Sequence, residues 1–356
     1  MAPKSHPPLK QMNILGIDTS CDDTSAAVVA DGELVLSSIV HSQIKHHHPY
    51  GGVVPELASR EHIRNIVPVV DRALSKANVK IKDLDGIAVT VGPGLVGALL
   101  VGLSYAKSLA YVHQVPMIGV NHLEGHILSI FLEDNPPDFP FVALTVSGGH
   151  TSVYHVKGYG DYVQLGQTLD DAAGEAFDKV AKILGLGYPG GVPIENLARS
   201  GEKDKISFPR AYMSRDSLDF SFSGLKTAVS LYVKKWRQEE NVDVEVADIA
   251  ASFQEAVIEV LTNKLMTAGE KMGIHSIVIA GGVACNQALR DKVRACALEK
   301  KMGFHYPRPA YCTDNGAMIA VAGYHRLRMG ERAGLSIDVR SKFPIQDLAS
   351  MTPREQ

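Results

Sequence analysis

The sequence predicts an α/β protein of two similar lobes, each a mixed sheet flanked by helices. Three observations lead there. Short apolar runs of strand length alternate with helical patterns along most of the chain. Two hairpin patterns, near residues 14 and 141, share one layout, each placing a Thr-Ser pair just after its turn (Thr24-Ser25 and Thr151-Ser152). A length of 356 residues, 45% of them apolar, suits one large domain or two lobes with a sizeable core. Disorder is excluded as the main state, because no long stretch combines low hydrophobicity with high net charge.

Taken in order, Ile14 to Ile17 is a short apolar run that ends in the polar turn Asp18 to Thr24, and Ser25 to Ala30 returns beside it. Glu33 to Val40 continues as a third strand. Glu56 to Ala77 has helical spacing, with Ile63, Ile66, Val67, Val70 and Leu74 on one stripe. Ile87 to Val91 is a strand broken by Gly92-Pro93-Gly94. Val96, Leu99, Leu100 and Leu103 then mark a helix whose start points at that turn. Pro116 to Val120 is a strand, and a helix begins near Asn121 or His122. Asn135-Pro136-Pro137 reads as a linker, after which the design restarts: strand Phe141 to Val146, turn Ser147 to Thr151, strand Ser152 to Val156. Further on come helix 172–185, a glycine-rich loop, helices 225–237 and 247–272, strand 276–280, helix 286–299, strand 303–306 and helix 315–329. The expected division is residues 12–137 plus 314–345 in one lobe and 138–313 in the other.

The first eleven residues carry three prolines and no apolar run, so 1–11 is read as a disordered tail without a secretory pattern. That tail also has no arginine and makes a poor mitochondrial transit peptide. Cys21, Cys285, Cys296 and Cys312 form no CxxC pair, which points to reduced thiols in the cytoplasm rather than to a disulfide framework or zinc ribbon. Gly86 to Ala106 is free of charge, yet its five glycines and central Pro93 make it a buried strand, turn and helix, with no membrane span expected. A net charge of −3 opposes an autonomous nucleic-acid binder. The densest basic groups, Lys45 to His48 and Lys234 to Arg237, are read first as solvated faces and second as patches that could grip phosphates.

Candidate chemistry concentrates in a few places. In His122-Leu123-Glu124-Gly125-His126 the two histidines are four apart, so on a helix both imidazoles could meet one metal ion. Two ligand-free surface histidines are the alternative. The zinc-protease pattern HExxH needs its Glu directly after the first His, and here Glu124 is displaced, which disfavours peptide hydrolysis. Asp314 could supply a third ligand, or could simply cap the following helix. Glycine turns follow strands at Gly92 to Gly94, Gly148-Gly149, Gly190-Gly191 and Gly281-Gly282, where backbone N–H groups could approach phosphate oxygens. Together they favour a nucleotide site, although no P-loop and no dinucleotide GxGxxG is present. Asp170, Asp171 and Glu175 suit a helix start, whereas Asp178 could accept hydrogen bonds from a ribose or an amine.

Several of these segments together resemble one family. They are Gly16 to Thr24, Tyr50 to Arg60, Gly92 to Gly97, His122 to His126, Val146 to Thr151, Gly174 to Lys179, Asp219 to Lys226, Ala280 to Asn286 and Cys312 to Ala317. In this order, over about residues 12–345, they resemble the bacterial and mitochondrial tRNA N6-adenosine threonylcarbamoyltransferases (TsaD), once described as O-sialoglycoprotein endopeptidases. The resemblance implies a two-lobed fold of the actin, hexokinase and sugar-kinase type. It implies one divalent metal ion, iron or zinc, on His122, His126 and Asp314. It further implies that Thr145, Val146, Ser147, Gly148, Gly149, Asp178, Gly191, Glu195 and Asn286 contact the donor threonylcarbamoyl-AMP.

The implied reaction moves the threonylcarbamoyl group from AMP to N6 of the adenosine beside the tRNA anticodon. The metal would act as a Lewis acid, and positioning would matter more than a strong base. The implied partners are tRNA with TsaB-like and TsaE-like proteins, or a second copy of the chain in a homodimer. The sequence departs from the family at Asp18 and Asp23, where Glu is usual, and at Val192-Pro193, where Pro usually follows the glycine pair directly. A role for Asp18 in orienting the substrate amine is the expectation most exposed to that shorter side chain. A metalloprotease and a non-catalytic nucleotide-binding scaffold of the same fold are the competing readings.

Overall fold

The computed structural model describes residues 11–211, 217–238 and 243–351. The tail expected over 1–11 lies outside the described residues except for Gln11. In chain order the first sheet is built from β1 (Asn13–Asp18), β2 (Asp23–Ala30), β3 (Leu34–Ser42), β4 (Gly86–Gly92) and β5 (Met117–Asn121). Its helices are α1 (Ile44–His47), α2 (Pro55–Ala77), α3 (Val96–His113) and α4 (His122–Leu128). The second sheet has β6 (Phe141–Val146), β7 (Thr151–Gly158), β8 (Asp161–Gln167), β9 (Ser276–Ala280) and β10 (Gly303–His305). Around it run α5 (Ala173–Leu184), α6 (Gly191–Ala198), α7 (Ser223–Trp236), α8 (Val246–Met272), α9 (Gln287–Glu299) and α10 (Pro309–Cys312), and α11 (Gly316–Arg328) follows.

The two sheets repeat one topology. The first is ordered β3-β2-β1-β4-β5 and the second, from its far edge, β8-β7-β6-β9-β10. In each, the opening hairpin is antiparallel (Asp18 opposite Ser25, Val146 opposite Thr151) and the later strands join it in parallel. The central strands β1, β4 and β6 are almost wholly apolar and buried, as strands covered on both faces must be. The apolar core divides accordingly, one cluster around β1 and β4 and another around α8 and β9.

Besides the one-turn helices α1 and α10, two elements differ from the sequence reading. β8 is an edge strand with mixed exposure, too weakly alternating to stand out. The glycine-rich loop contains α6, whose Pro193 falls in the first turn, where N–H groups have no intrahelical partner to lose. The helix stripes also need correction. Ile66, Val70 and Leu74 of α2 and Leu99 and Leu103 of α3 are buried, but Ile63, Val67, Val96 and Leu100 lie on the surface. Their helices turn a different edge of the apolar arc toward the sheet.

α11 comes nearly three hundred residues after β1 yet packs directly on it, because the facing positions lack side chains. A Cβ on Gly16 would stand 2.0 Å from the Gly316 carbonyl oxygen, and one on Gly323 would stand 2.3 Å from the Ala88 Cβ. Gly16→Ala should therefore destabilise the protein by about 1–3 kcal/mol through overpacking. Gly158→Ala, where an added Cβ meets nothing within 4 Å, should be nearly neutral. Thermal or denaturant unfolding of the two variants checks this, and equal midpoints would contradict the close-packing account.

Candidate metal centre and cleft

β5 runs straight into α4. Buried Asn121 makes the junction: its Oδ1 accepts the Leu123 N–H at 2.9 Å, and its Nδ2 donates to the Phe343 carbonyl at 2.8 Å. This fixes His122 in the first turn and His126 one turn on, with ring centroids 4.7 Å apart. Both rings are buried, not surface histidines. Asp314 reaches them from the link between α10 and α11. The cap of α11 is Asn315, which accepts the Met318 N–H at 3.0 Å, so the Asp314 carboxylate is left free of capping. Its Oδ1 lies 3.4 Å from His122 Nε2 and 3.2 Å from His126 Nε2.

These three side chains fit a divalent cation. One ligand atom from each lies within 4.8 Å of the others. His126 Nδ1 has no hydrogen-bond partner and its Nε2 faces only the Asp314 carboxylate, although the residue is 0% exposed. A buried imidazole left so is costly unless a cation takes its lone pair. Two imidazoles and a carboxylate suit iron or zinc. Burial works against charge on His122, but Asp314 and Asp18 outweigh it and lift its pKa to about 10. Conversely, burial would raise Asp314, and the two histidines hold it well below the usual carboxylate range. A proton fills that negative field when nothing else does, and a metal ion would displace it.

The acid expected to meet the substrate amine does something else. Asp18 is fully buried, accepts from Thr90 Oγ1 at 2.6 Å and Ser20 Oγ at 3.1 Å, and lies 3.4 Å from His122 Nδ1. It stands behind the imidazole, where carboxylates commonly orient metal-binding histidines. Glu124, on the same helix, is likewise buried away from the pair. It accepts from the Tyr162 hydroxyl at 3.1 Å and faces Arg326 at 3.6 Å, so it cannot activate a water on the metal face.

The triad opens into a cleft between the sheets, formed by two adjoining cavities of about 670 and 290 Å³. Asp22, Ser147, Gly148, Asp178, Tyr188 and Asp314 line both. His122 and Gly149 line the larger, and Gly191, Glu195 and Asn286 the smaller. Thr145 and Val146 do not line either; they are buried in β6 below the turn.

The turn itself is held from beneath. Ser147 N–H donates to the His150 carbonyl at 2.8 Å, and the Ser147 carbonyl accepts the Gly174 N–H at 3.2 Å. A Cβ on Gly174 would come 2.5 Å from that carbonyl, so the start of α5 tucks under the turn. Above it, a Cβ on Gly148 or Gly149 would meet nothing within 4 Å, which leaves their backbone open to a ligand. Asp178 accepts the Gly190 N–H at 2.7 Å and so ties the second glycine loop to α5; burial raises its pKa. Glu195 accepts the Gln287 N–H at 3.0 Å. Asn286 spends its side chain internally, capping α9 through Leu289 N–H and donating to Gln254 at 2.8 Å. Asp22 and Tyr188 were not singled out by the sequence. Burial raises the Asp22 pKa, and Tyr188 precedes Pro189-Gly190-Gly191, the one local sign that could have flagged it.

No helix among the described residues is long and apolar enough to cross a membrane. A likeness in fold connects the chain to full-length HypF in its phosphate- and nucleotide-bound form, at 13% identity and a TM-score of 0.61, covering 90% of this chain and 47% of that one. Component A of the Acidaminococcus fermentans (R)-2-hydroxyglutaryl-CoA dehydratase is similar at 16% identity and a TM-score of 0.53, covering 89% and 99%. These bear out the two-lobed, actin-like α/β fold. The family model "TsaD: tRNA N6-adenosine threonylcarbamoyltransferase" matches residues 34–321. Relatives named tRNA N6-adenosine threonylcarbamoyltransferase are 50% identical in Syntrophus aciditrophicus, over 94% of this chain and 98% of that one, and 54% identical in Geobacter sp. strain M21, over 95% and 98%. With the model matching most of its length and such relatives nearly all of it, the chain belongs to the TsaD family of tRNA N6-adenosine threonylcarbamoyltransferases.

Proposed function

We propose that this chain transfers the threonylcarbamoyl group from threonylcarbamoyl-AMP to N6 of the adenosine beside the anticodon, in tRNAs that read codons beginning with A, and releases AMP. The observation that carries this reading is the His122–His126–Asp314 group, its two imidazoles buried, at the floor of a cleft whose glycine turn is open. The N6 nitrogen attacks the carbamoyl carbon, the bond from that carbon to the phosphate oxygen breaks, AMP leaves, and the N6 proton passes to the departing phosphate or to water. A divalent ion on the triad, iron or zinc, supplies Lewis-acid polarisation and charge neutralisation.

The chain's own residues do the positioning. Gly148 and Gly149 offer backbone N–H groups to the donor phosphate, with Ser147, Thr145 and Val146 holding the turn from β6. Asp178 presents a partly desolvated carboxylate to the nucleoside and fixes Gly190, so that Gly191 and Glu195 bound the far side. Asn286 acts through the start of α9, which it caps. Asp18, through His122 Nδ1, orients the imidazole. AMP is a good leaving group, so holding the acyl carbon against N6 accounts for most of the acceleration asked of the site.

Other parts of the reading rest on the same family membership. Residues 12–137 with 314–345 form one lobe and 138–313 the other, and their junction is the cleft. A TsaB-like partner with a TsaE-like ATPase, or a second copy of this chain, completes the working assembly, and exposed Ile63, Val67, Val96 and Leu100 support a protein contact on α2 and α3. The setting is the cytoplasm.

His122→Ala/His126→Ala should lose bound metal by elemental analysis, with affinity down more than about 100-fold. It should also give no threonylcarbamoyladenosine by nucleoside mass spectrometry, where the wild type with its partners does. Product from both would sink the metal's role, and no product from either would favour the scaffold reading. Gly148→Ala should fold normally, because its Cβ meets no neighbour, yet raise the donor KM about tenfold or more by intruding on the phosphate. An unchanged KM would move the phosphate elsewhere.

A further inference from the structure

The cleft is acidic where the chemistry occurs. Asp22, Asp178, Glu195 and Asp314 line it, and the phosphates flanking an incoming adenosine would be repelled there. They need a track outside. Beside the larger cleft cavity lies a groove of about 720 Å³ between α5 and α7. Lys179 and Lys182 line both the groove and the cleft, so the two are continuous. Across from them on the groove wall stand Lys234 and Arg237. Each pair is spaced i,i+3, the spacing that brings helical side chains to one face.

The cations here are not all committed to internal partners. Lys179 bonds Asp171 at 2.8 Å and Glu175 at 2.7 Å, and Arg237 donates one N–H to the Ile183 carbonyl at 2.8 Å. Lys182 and Lys234 are exposed and have no carboxylate within ion-pair distance among the described residues. α7 carries Lys226, Lys234 and Lys235 and not one Asp or Glu. Lys226 is held by Asp171 at 2.9 Å, so in a chain of net charge −3 the positive charge left uncommitted along this groove is that of Lys182 and Lys234.

We propose that the α5–α7 groove takes the sugar-phosphate backbone of the tRNA next to the acceptor adenosine, with Lys182 and Lys234 as its principal phosphate contacts. The proposal rests on the transferase reading and adds where the RNA strand lies. The backbone stays on the basic rim while one base turns into the acidic cleft. Lys182 sits at the crossing point, its Nζ 3.5 Å from where a Gly51 Cβ would stand at the cleft mouth.

The test compares tRNA binding by fluorescence anisotropy between about 50 and 200 mM salt, in whichever assembly of the full chain is active. Two lost phosphate contacts at a slope of about 0.7–0.9 each predict that Lys182→Ala/Lys234→Ala binds about 15- to 30-fold more weakly near 0.15 M salt, with a slope shallower by about 1.4–1.8. Affinity for a non-hydrolysable donor analogue should not change, and Lys76→Ala/Lys80→Ala, at exposed lysines at and just past the end of α2 that line neither cleft nor groove, should bind tRNA like the wild type. An unchanged tRNA affinity and slope overturns the groove, and so does loss of a partner protein's binding with tRNA affinity intact. If the wild type binds tRNA through the groove yet forms no modified adenosine in any assembly, the transferase reading fails and the groove stands. If the variant binds tRNA normally while the wild type makes product, the groove fails alone.

Discussion

The site depends on how closely one helix can approach one sheet. Gly16 on β1 and Gly316 and Gly323 on α11 leave no side chain between backbone and backbone, so α11 lies against β1, β2 and β4 at a distance other residues would forbid. Asp314 sits just before that helix, and its place over α4 follows from it. Gly125 repeats the device on the metal helix, where an added Cβ would be 2.8 Å from Ile319. The buried contact of Glu124 with Arg326 then locks α4 to α11 from the far side. The triad is thus assembled by backbone packing first and by charge second.

The repeated topology places the chemistry. Each sheet opens with an antiparallel hairpin and closes with parallel strands, and the hairpin turns, Asp18 to Asp23 and Ser147 to His150, both contribute to the cleft. The two copies have diverged in what they carry. The first turn is acidic and lies behind and beside the metal group, while the second is glycine-rich and offers backbone donors. The second turn thus presents open backbone to the cleft, while Lys179 and Lys182 of α5 stand on the wall of its larger cavity.

Charge is segregated in consequence. The interior carboxylates set a field that only cations relieve, and burial pushes Asp23 up to about 7, with Asp314, Asp22 and Asp18 adding to the rise. The lysines of α5 and α7 stand at its rim. A polyanion can be attracted to the rim and still be refused entry beyond a single base.

Much of this was legible in the residue order. The alternation of strands and helices, the doubled hairpin, the i,i+4 histidines and the misplaced Glu124 are local patterns, and local patterns need only the chain's own periodicity to be read. The ordered segments from Gly16 to Ala317 identified the family. What the sequence could not decide were matters of long-range approach. Asp314 could have been a helix cap until Asn315 was seen to do that work. Asp18 looked like an acid for the substrate until β1, β4 and α4 enclosed it behind His122. Ile63 and Val67 counted as core until α2 turned another edge inward, and α6 hid behind its own glycines and proline. Spacing along a chain fixes which residues share a face; which face meets which, and so which carboxylate meets which imidazole, is settled only when distant backbones pack.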